Sequence, residues 1–157
     1  MMRRAGPSLV LALLSAVAQS HPAPGSMLKI DFRASDVQAE YWVPVSELDF
    51  ARAVDTGGGF ADYLLRHVSL ESADGARWRV RVAGVREARY ADHAYLVADL
   101  RLLPPAGASP RAFVLQDDAV THEVRNHVIY VVAMRGAGAE LLGMLQYPAR
   151  RLEIAAP

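Results

Sequence analysis

Apolar and polar residues alternate in several stretches of this chain, which is the pattern that half-buried β-strands produce. The first stretch is 27–32, where Leu28, Ile30 and Phe32 alternate with charged residues, and the alternation resumes over 37–43 after a polar turn. Two alternating runs separated by a short turn predict a β-hairpin. Two later stretches share the alternation and predict further strands, at 78–82 and 95–102, and the apolar stretch 112–115 predicts another.

Two segments near the end of the chain complete the predicted set of strands. Residues 127–134 form the most apolar and β-branched segment, which is typical of a central strand. Residues 146–154 are more polar and predict an edge strand. Turns rich in glycine, proline, alanine and serine separate the predicted strands, as expected for short strands in an antiparallel arrangement.

Between the hairpin and the later strands, the spacing of apolar residues changes to that of short helices. Pro44 ends the strand pattern, and Ser46 followed three residues later by Asp49 resembles a capping box that opens a helix. Three consecutive glycines at 57–59 then interrupt the chain. Apolar residues at the spacing of one helical face predict a second helix over 60–67.

These elements predict a mainly β fold. We expect an antiparallel β-sandwich, immunoglobulin-like or related, with one or two short helices inserted around 46–67. Residues 27–157 form a single β-rich domain of ordinary size. The segment before it, 21–26, contains two prolines and is expected to run extended toward the first strand.

The start of the chain has the features of an export signal. Arg3 and Arg4 give a positive beginning, and 9–18 is a short apolar run about half as long as a membrane span. Small residues follow at 18–20, so we predict a cleavable signal peptide over 1–20 and a periplasmic or secreted protein. No later stretch predicts a transmembrane segment.

Composition narrows the classes of partner and site. The chain has no cysteine, which excludes disulfides, thiolate metal sites and a lipoprotein anchor. It has 17 basic and 17 acidic residues, and loss of Arg3 and Arg4 with the signal leaves 15 against 17. A slightly acidic balance does not favour nucleic acid as a partner.

Histidines are the candidate metal ligands. If cleavage follows Ser20, His21 becomes the first residue and presents a free amine and an imidazole together. These groups could join His122 or His127 in a three-nitrogen site for a divalent transition metal, namely nickel, copper or zinc. The simpler interpretation makes His21 part of a flexible tail and places the other two histidines in a polar turn before a strand.

No catalytic motif is complete. The segment His122-Glu123-Val-Arg-Asn-His127 is one residue longer than the zinc-protease pattern, so its histidines would not share a helical face. The chain also lacks a G-x-S-x-G nucleophile elbow and a cysteine nucleophile. We therefore expect no catalytic residues and a protein that is not an enzyme.

The order of several segments resembles a known family. The segments are an exported start ending in His21-Pro22, VPVSEL at 43–48, YLLRHV at 63–68, WRVRV at 78–82 and DAVTHEVRNH at 118–127. Together they look like the extracytoplasmic N-terminal domain of HupE/UreJ-type membrane proteins. The resemblance implies a β-rich fold, an extracytoplasmic location and an association with nickel handling.

The resemblance implies that a polytopic membrane region follows this domain in those relatives, whereas this chain ends at Pro157. Two functions follow as hypotheses. The first is a non-catalytic binding or accessory module whose partner is an integral membrane protein. The second is a small periplasmic protein that binds or delivers a metal through His21.

Overall fold

A computed structural model of the protein describes residues 24–157, so the predicted signal peptide and His21 lie outside the described residues. The described part contains nine strands and two helices. In chain order they are β1 (Ser26–Phe32), β2 (Val37–Pro44), α1 (Val45–Arg52), α2 (Phe60–His67), β3 (Val68–Glu71), β4 (Arg79–Tyr90), β5 (His93–Leu103), β6 (Ala112–Asp117), β7 (Ile129–Arg135), β8 (Gly138–Leu145) and β9 (Arg151–Ala155).

The strands form two sheets that pack together. The larger sheet has six strands in the order β4-β5-β2-β1-β7-β8, and the smaller has three in the order β3-β6-β9. The predicted sandwich-like, mainly β architecture with two short helices is therefore confirmed. One pairing departs from the antiparallel prediction, because β1 runs parallel to β7 from Ser26 opposite Ile129 to Ile30 opposite Ala133.

The core lies between the two sheets and beneath the helices. Alternation along β1 and β2 points Leu28, Ile30, Tyr41 and Val43 inward, and each is at most 1% exposed. The smaller sheet and α2 complete the cluster with their own buried residues, among them Leu70, Phe113, Leu115, Tyr63 and Leu64. This inward face accounts for the apolar half of the alternation in the sequence.

The start of the first helix differs from the prediction, whereas the second helix starts where it was predicted. Helix α1 begins at Val45 directly after Pro44, and no side chain caps it, so the capping box predicted from Ser46 is wrong. Proline cannot donate a backbone hydrogen bond and suits the boundary between strand and helix. Helix α2 begins at Phe60, where the Gly59 N–H donates to Asp62 Oδ2 at 3.1 Å.

The predicted strands are longer or shorter in the structure than in the sequence pattern. Strand β4 continues to Tyr90 and forms a long hairpin with β5, although alternation was evident only to residue 82. The predicted edge segment at 146–154 is an edge strand only from Arg151, as β9. Two strands, β3 and β8, were not predicted at all.

Candidate functional site

The loop between β6 and β7, residues 118–128, gathers the polar groups that are buried near one end of the sandwich. It follows directly after Asp117, the last residue of β6, which is 1% exposed and accepts a hydrogen bond from the Tyr41 hydroxyl at 2.7 Å. The Ala119 N–H donates to the other carboxylate oxygen at 2.9 Å. Burial raises the pKa of Asp117 to about 7 despite these hydrogen bonds. Because Tyr41 is in β2 and Asp117 in β6, this contact joins the two sheets.

Val120, in the same loop, has an unusual backbone conformation. Its φ is 64°, in the left-handed region that a β-branched residue rarely adopts. The Val120 N–H donates to the hydroxyl of Tyr63, in α2, at 2.8 Å, and its carbonyl accepts from the Val124 N–H at 2.8 Å. These contacts hold a conformation that costs on the order of 1–3 kcal/mol.

His122 lies on the loop, and its hydrogen-bond geometry assigns a proton to one of the two ring nitrogens. Its Nδ1 is 3.0 Å from the Asp118 carbonyl oxygen, which only accepts, so Nδ1 carries a proton and in the neutral ring Nε2 presents a lone pair. Nε2 is buried and has no hydrogen-bond partner among residues 24–157. The ring stacks on that of His67 with centroids 4.3 Å apart and planes 15° apart.

His67 is held between two carboxylates at the end of α2. Its Nδ1 is 2.7 Å from Asp118 Oδ1 and its Nε2 is 3.0 Å from Asp55 Oδ2. A neutral imidazole has only one N–H, so in that form the ring donates to one of the two carboxylates. Arg66 and Arg150 extend the chain of charges on either side, since they pair with Asp55 and Asp118 respectively. Hydrogen bonds from Arg66 and His67 lower the pKa of Asp55 to about 2.

His127 faces a different set of groups. The Ser26 N–H and hydroxyl lie 3.2 and 2.8 Å from its Nε2, and Glu47 Oε2 lies 3.4 Å from its Nδ1. Donation by the Ser26 N–H makes Nε2 the acceptor and leaves the proton on Nδ1, facing Glu47. Burial lowers the pKa of His127 to about 4 and raises the pKa of Glu47.

The order Ser26, His127, Glu47 matches the proton relay of serine hydrolases in residue type. Ser26 is fully buried, however, so its hydroxyl cannot meet a substrate in this conformation. The same Ser26 N–H also lies 2.9 Å from the Val128 carbonyl. Within residues 24–157, His127 Nδ1 and Glu47 Oε2 have no hydrogen-bond partner, so only the Ser26–His127 contact is formed, and it anchors the beginning of β1 beside β7.

The predicted metal ligands have separate surroundings. His122 contacts Asp118 and His67, whereas His127 contacts Ser26 and Glu47. Within residues 24–157, no group of three histidine or acidic side chains is placed to hold a metal ion. His21 lies outside the described residues, so the three-nitrogen site stays a prediction.

A second feature lies on the side of the six-stranded sheet that faces away from the core. Register places Met27 opposite both Trp42 and Tyr130, and Tyr130 opposite Met144, so these four residues form one row across four strands. We call this row the outer apolar row. Met144 is 55% exposed and Tyr130 is 38% exposed. The Lys29 ammonium lies 4.2 Å from the centre of the Trp42 ring and covers part of it.

Beside the outer apolar row, the same face forms an open groove of about 600 Å³. Its walls combine apolar surface with charged residues, among them Lys29, Glu40, Asp99 and Arg101. Arg86 joins Glu40 and Asp99 with side-chain contacts of 2.7 and 2.5 Å. The face therefore combines large apolar side chains with charges that are mostly paired with one another.

Comparison with models of protein families and with curated proteins finds no match for this chain. No helix within residues 24–157 is long and apolar enough to cross a membrane.

Sequence reasoning found the histidines but missed the residues that define their surroundings. Ser26 was assigned to the lead before the domain. The outer apolar row had a visible signal, because Met27 and Trp42 occupy positions that strict alternation assigns to the polar face. Only the pairing of four strands brings such positions together.

Proposed function

We propose that this protein is an exported, non-catalytic β-domain that binds a protein partner through the outer face of its six-stranded sheet. The observation that carries the proposal is the outer apolar row. Its four members come from four different strands and lie at one level of the sheet. Aromatic residues and methionine are the types enriched where proteins meet, and contiguous apolar patches mark such surfaces.

The charged residues at the groove give the proposed surface its specificity. Lys29, Glu40, Arg86 and Asp99 form a network beside the row, in which Lys29 lies 3.9 Å from Glu40. Charges at the rim of an interface orient a partner and discourage wrong ones more than they add affinity. An apolar row bordered by charges fits the usual anatomy of a protein-binding surface.

An integral membrane protein is the proposed partner class. Two features of the sequence support it, the signal peptide expected over 1–20 and the resemblance to the extracytoplasmic domain of HupE/UreJ-type membrane proteins. In this proposal the protein works in the periplasm or outside the cell. We also propose that its sandwich is related to the immunoglobulin-like folds.

Site-directed photo-crosslinking in the native cell tests the proposal. A photoreactive residue replaces Met144, in the outer apolar row, and in a matched variant it replaces Phe50, which is 72% exposed in α1. We expect an adduct with a protein of the membrane fraction from position 144 only. Tyr130→Glu should abolish that adduct, because a charge in the row opposes burial against a partner.

Two results would contradict the proposal. One is the same adduct from both positions, which would indicate random contact. The other is no adduct from position 144 under conditions in which the variant is folded and exported. Folding is checked by circular dichroism on the purified variants.

The alternative function is metal binding or delivery through His21. The observation that favours it is the buried, unpartnered Nε2 of His122, because its Nδ1 is already committed to the Asp118 carbonyl. A histidine oriented in this way through one nitrogen is prepared to coordinate a metal through the other.

Sequencing the mature N-terminus and titrating the purified protein with nickel, copper and zinc tests this alternative. We expect tight binding to be lost on His21→Gln and on His122→Gln and to persist on His93→Gln, a histidine at the start of β5. A mature terminus other than His21, or unchanged binding in the first two variants, removes the metal function.

A further inference from the structure

The outer edge of β4 offers unused backbone hydrogen-bonding groups. This strand lies at one end of the six-stranded sheet, is 12 residues long and pairs only with β5 among the described strands. Directly before β4, the Trp78 N–H donates to the Leu70 carbonyl of β3 at 2.9 Å, but from Arg79 to Tyr90 no backbone hydrogen bond within residues 24–157 joins the other edge to a turn or loop. A long unpaired edge is a template for another extended segment.

The side chains along this edge are strongly basic. Arg79, Arg81, Arg86 and Arg89 all lie in β4, against a single acidic residue, Glu87. Arg86 pairs with Glu40 and Asp99, but Arg79 and Arg81 are exposed and form no ion pair with any described residue. Because they are two positions apart, both point to the outer face, about 6.6 Å apart along the strand.

Arg81 is also placed against a like charge. It lies directly opposite Arg101 of β5, and the nearby carboxylate of Asp36 is already paired with Arg101 at 2.5 Å. Like charges directly opposite each other destabilise a sheet. An incoming carboxylate beside Arg79 and Arg81 would remove this unfavourable arrangement.

The other end of the same sheet is less suitable for an added strand. Strand β8 has eight residues, and the position of Gly143 lies against Leu152 of β9, where a built Cβ would be only 2.8 Å from the leucine side chain. The inner face of β8 therefore packs directly on the smaller sheet at this point, and a register shift with β7 makes the strand irregular there. Pairing of two copies through β4 is also disfavoured, since it would bring two rows of arginines together.

We propose that β4 binds an extended acidic segment of the partner, which adds to the six-stranded sheet as a seventh strand. This inference rests on the proposed function as a binding module and specifies the chemistry of the partner. Backbone hydrogen bonds to the free edge hold the segment. Carboxylates at alternate positions of the segment face Arg79 and Arg81 and select acidic sequences over others.

A synthetic peptide tests the proposal directly. The probe is a fluorescent ten-residue peptide in which glutamate alternates with valine and threonine, titrated into the full protein at low salt. Its matched control has the same sequence with N-methylated backbone amides, which keeps the charge but prevents strand pairing. We expect binding of the first peptide only, with slower hydrogen exchange in residues 79–90.

Charge variants distinguish a specific effect of the β4 arginines on peptide affinity from an effect of the protein's net charge. Arg79→Glu with Arg81→Glu should weaken binding roughly tenfold or more, because two favourable contacts become repulsive. Arg111→Glu with Arg125→Glu changes the net charge equally at exposed positions elsewhere and should change affinity less than about twofold. If the first pair fails to fold, Arg79→Gln with Arg81→Gln replaces it.

Several outcomes would overturn the proposal. Equal binding of the N-methylated peptide, or no protection in β4, would exclude strand addition. Equal weakening by both pairs of variants would leave only a net-charge effect. Vesicles containing phosphatidylglycerol that bind through Arg79 and Arg81, when the peptide does not bind, would assign the edge to a lipid surface. An adduct from position 144 without peptide binding would leave the proposed function intact and remove only this inference.

Discussion

Two hairpin turns place their first loop residue at positive φ, and only one of them uses glycine. The β4–β5 turn has Ala91 at φ 50°, between the paired residues Tyr90 and His93. The β7–β8 turn has Gly136 at φ 57° in the same position. A residue with a Cβ is strained in this region, whereas glycine is not.

Ala91→Gly should therefore stabilise the protein. We expect a gain of about 0.5–1 kcal/mol in the free energy of unfolding, because relief of strain exceeds the added entropy of the unfolded chain. Urea denaturation measures the change. The control is Ala137→Gly in the β7–β8 turn, where φ is not positive and glycine should destabilise. A loss of stability from Ala91→Gly would contradict the prediction.

Asp117 should make stability increase as the pH falls from about 8 to 6.5. Its pKa is about 7 in the fold and near 3.8 when unfolded, so the folded state binds more protons between these values. Stability from this group is present at low pH and is lost as the pH rises through about 7. We expect a change of about 1 kcal/mol over that range in thermal or urea denaturation. Asp117→Asn should abolish it, and an unchanged slope would contradict the assignment.

At the scale of elements, α2 supports the β6–β7 loop at Val120 through the hydroxyl of Tyr63, in addition to the contacts of His67 with Asp118 and His122. Tyr63 accepts the hydrogen bond of the Val120 N–H, and its ring also lies 4.5 Å from that of His67. This hydrogen bond therefore joins the helix to the most strained residue of the loop. Loss of that hydroxyl would leave a buried N–H without a partner.

Tyr63→Phe should destabilise the fold by about 1–3 kcal/mol, the usual consequence of an unsatisfied buried donor. Chemical denaturation measures it, and hydrogen exchange should show faster opening of the β6–β7 loop than of β1 or β2. Tyr130→Phe is the matched control, because the Tyr130 hydroxyl has no hydrogen bond to a described residue. Equal effects of the two changes would contradict the coupling between α2 and the loop.

Strict alternation of apolar and polar residues predicted the strands that bury one face, including β1 and β2. It failed for β8, because adjacent leucines at 141 and 142 break the period where the pairing with β7 shifts by one residue. It also failed for β3, which has only four residues. Short or bulged strands depend on their neighbours in the sheet rather than on their own pattern.

The candidate site was predictable only in its histidines. Their partners come from distant parts of the chain, since Ser26 meets His127 and Tyr41 meets Asp117 only after the sheets form. The parallel pairing of β1 with β7 could not be predicted either, because the sequence of a single strand does not indicate the register or the direction of its pairing. The residue types indicated possible chemistry, and the topology determined which groups meet.

For the whole molecule, two buried groups have opposite effects on stability in mild acid. His127 has a pKa of about 4 in the fold, so the unfolded state binds more protons below about 6.5 and stability falls with the pH. Asp117 produces the reverse trend over almost the same range. Between about pH 4.5 and 6.5 the two contributions should nearly cancel.

His127→Gln should expose the contribution of Asp117 across that range. The wild-type free energy of unfolding should be nearly flat from pH 6.5 to 4.5. In the variant it should rise as the pH falls, with a slope approaching one proton, or about 1.4 kcal/mol per pH unit. Urea denaturation at several pH values measures both slopes. A variant whose stability is as flat as that of the wild type would contradict this account.

The parallel pairing of β1 with β7 also determines when the six-stranded sheet can be completed during synthesis. The chain is made from its amino end, yet β1 gains its second neighbour only when Ile129 and the residues after it have emerged, roughly a hundred residues later. Until then β1 and β2 can already pair, but the edge of β1 that will pair with β7 has no partner strand. Fragments that stop before β7 should therefore aggregate rather than fold, and completion of the nascent chain becomes the step that protects it.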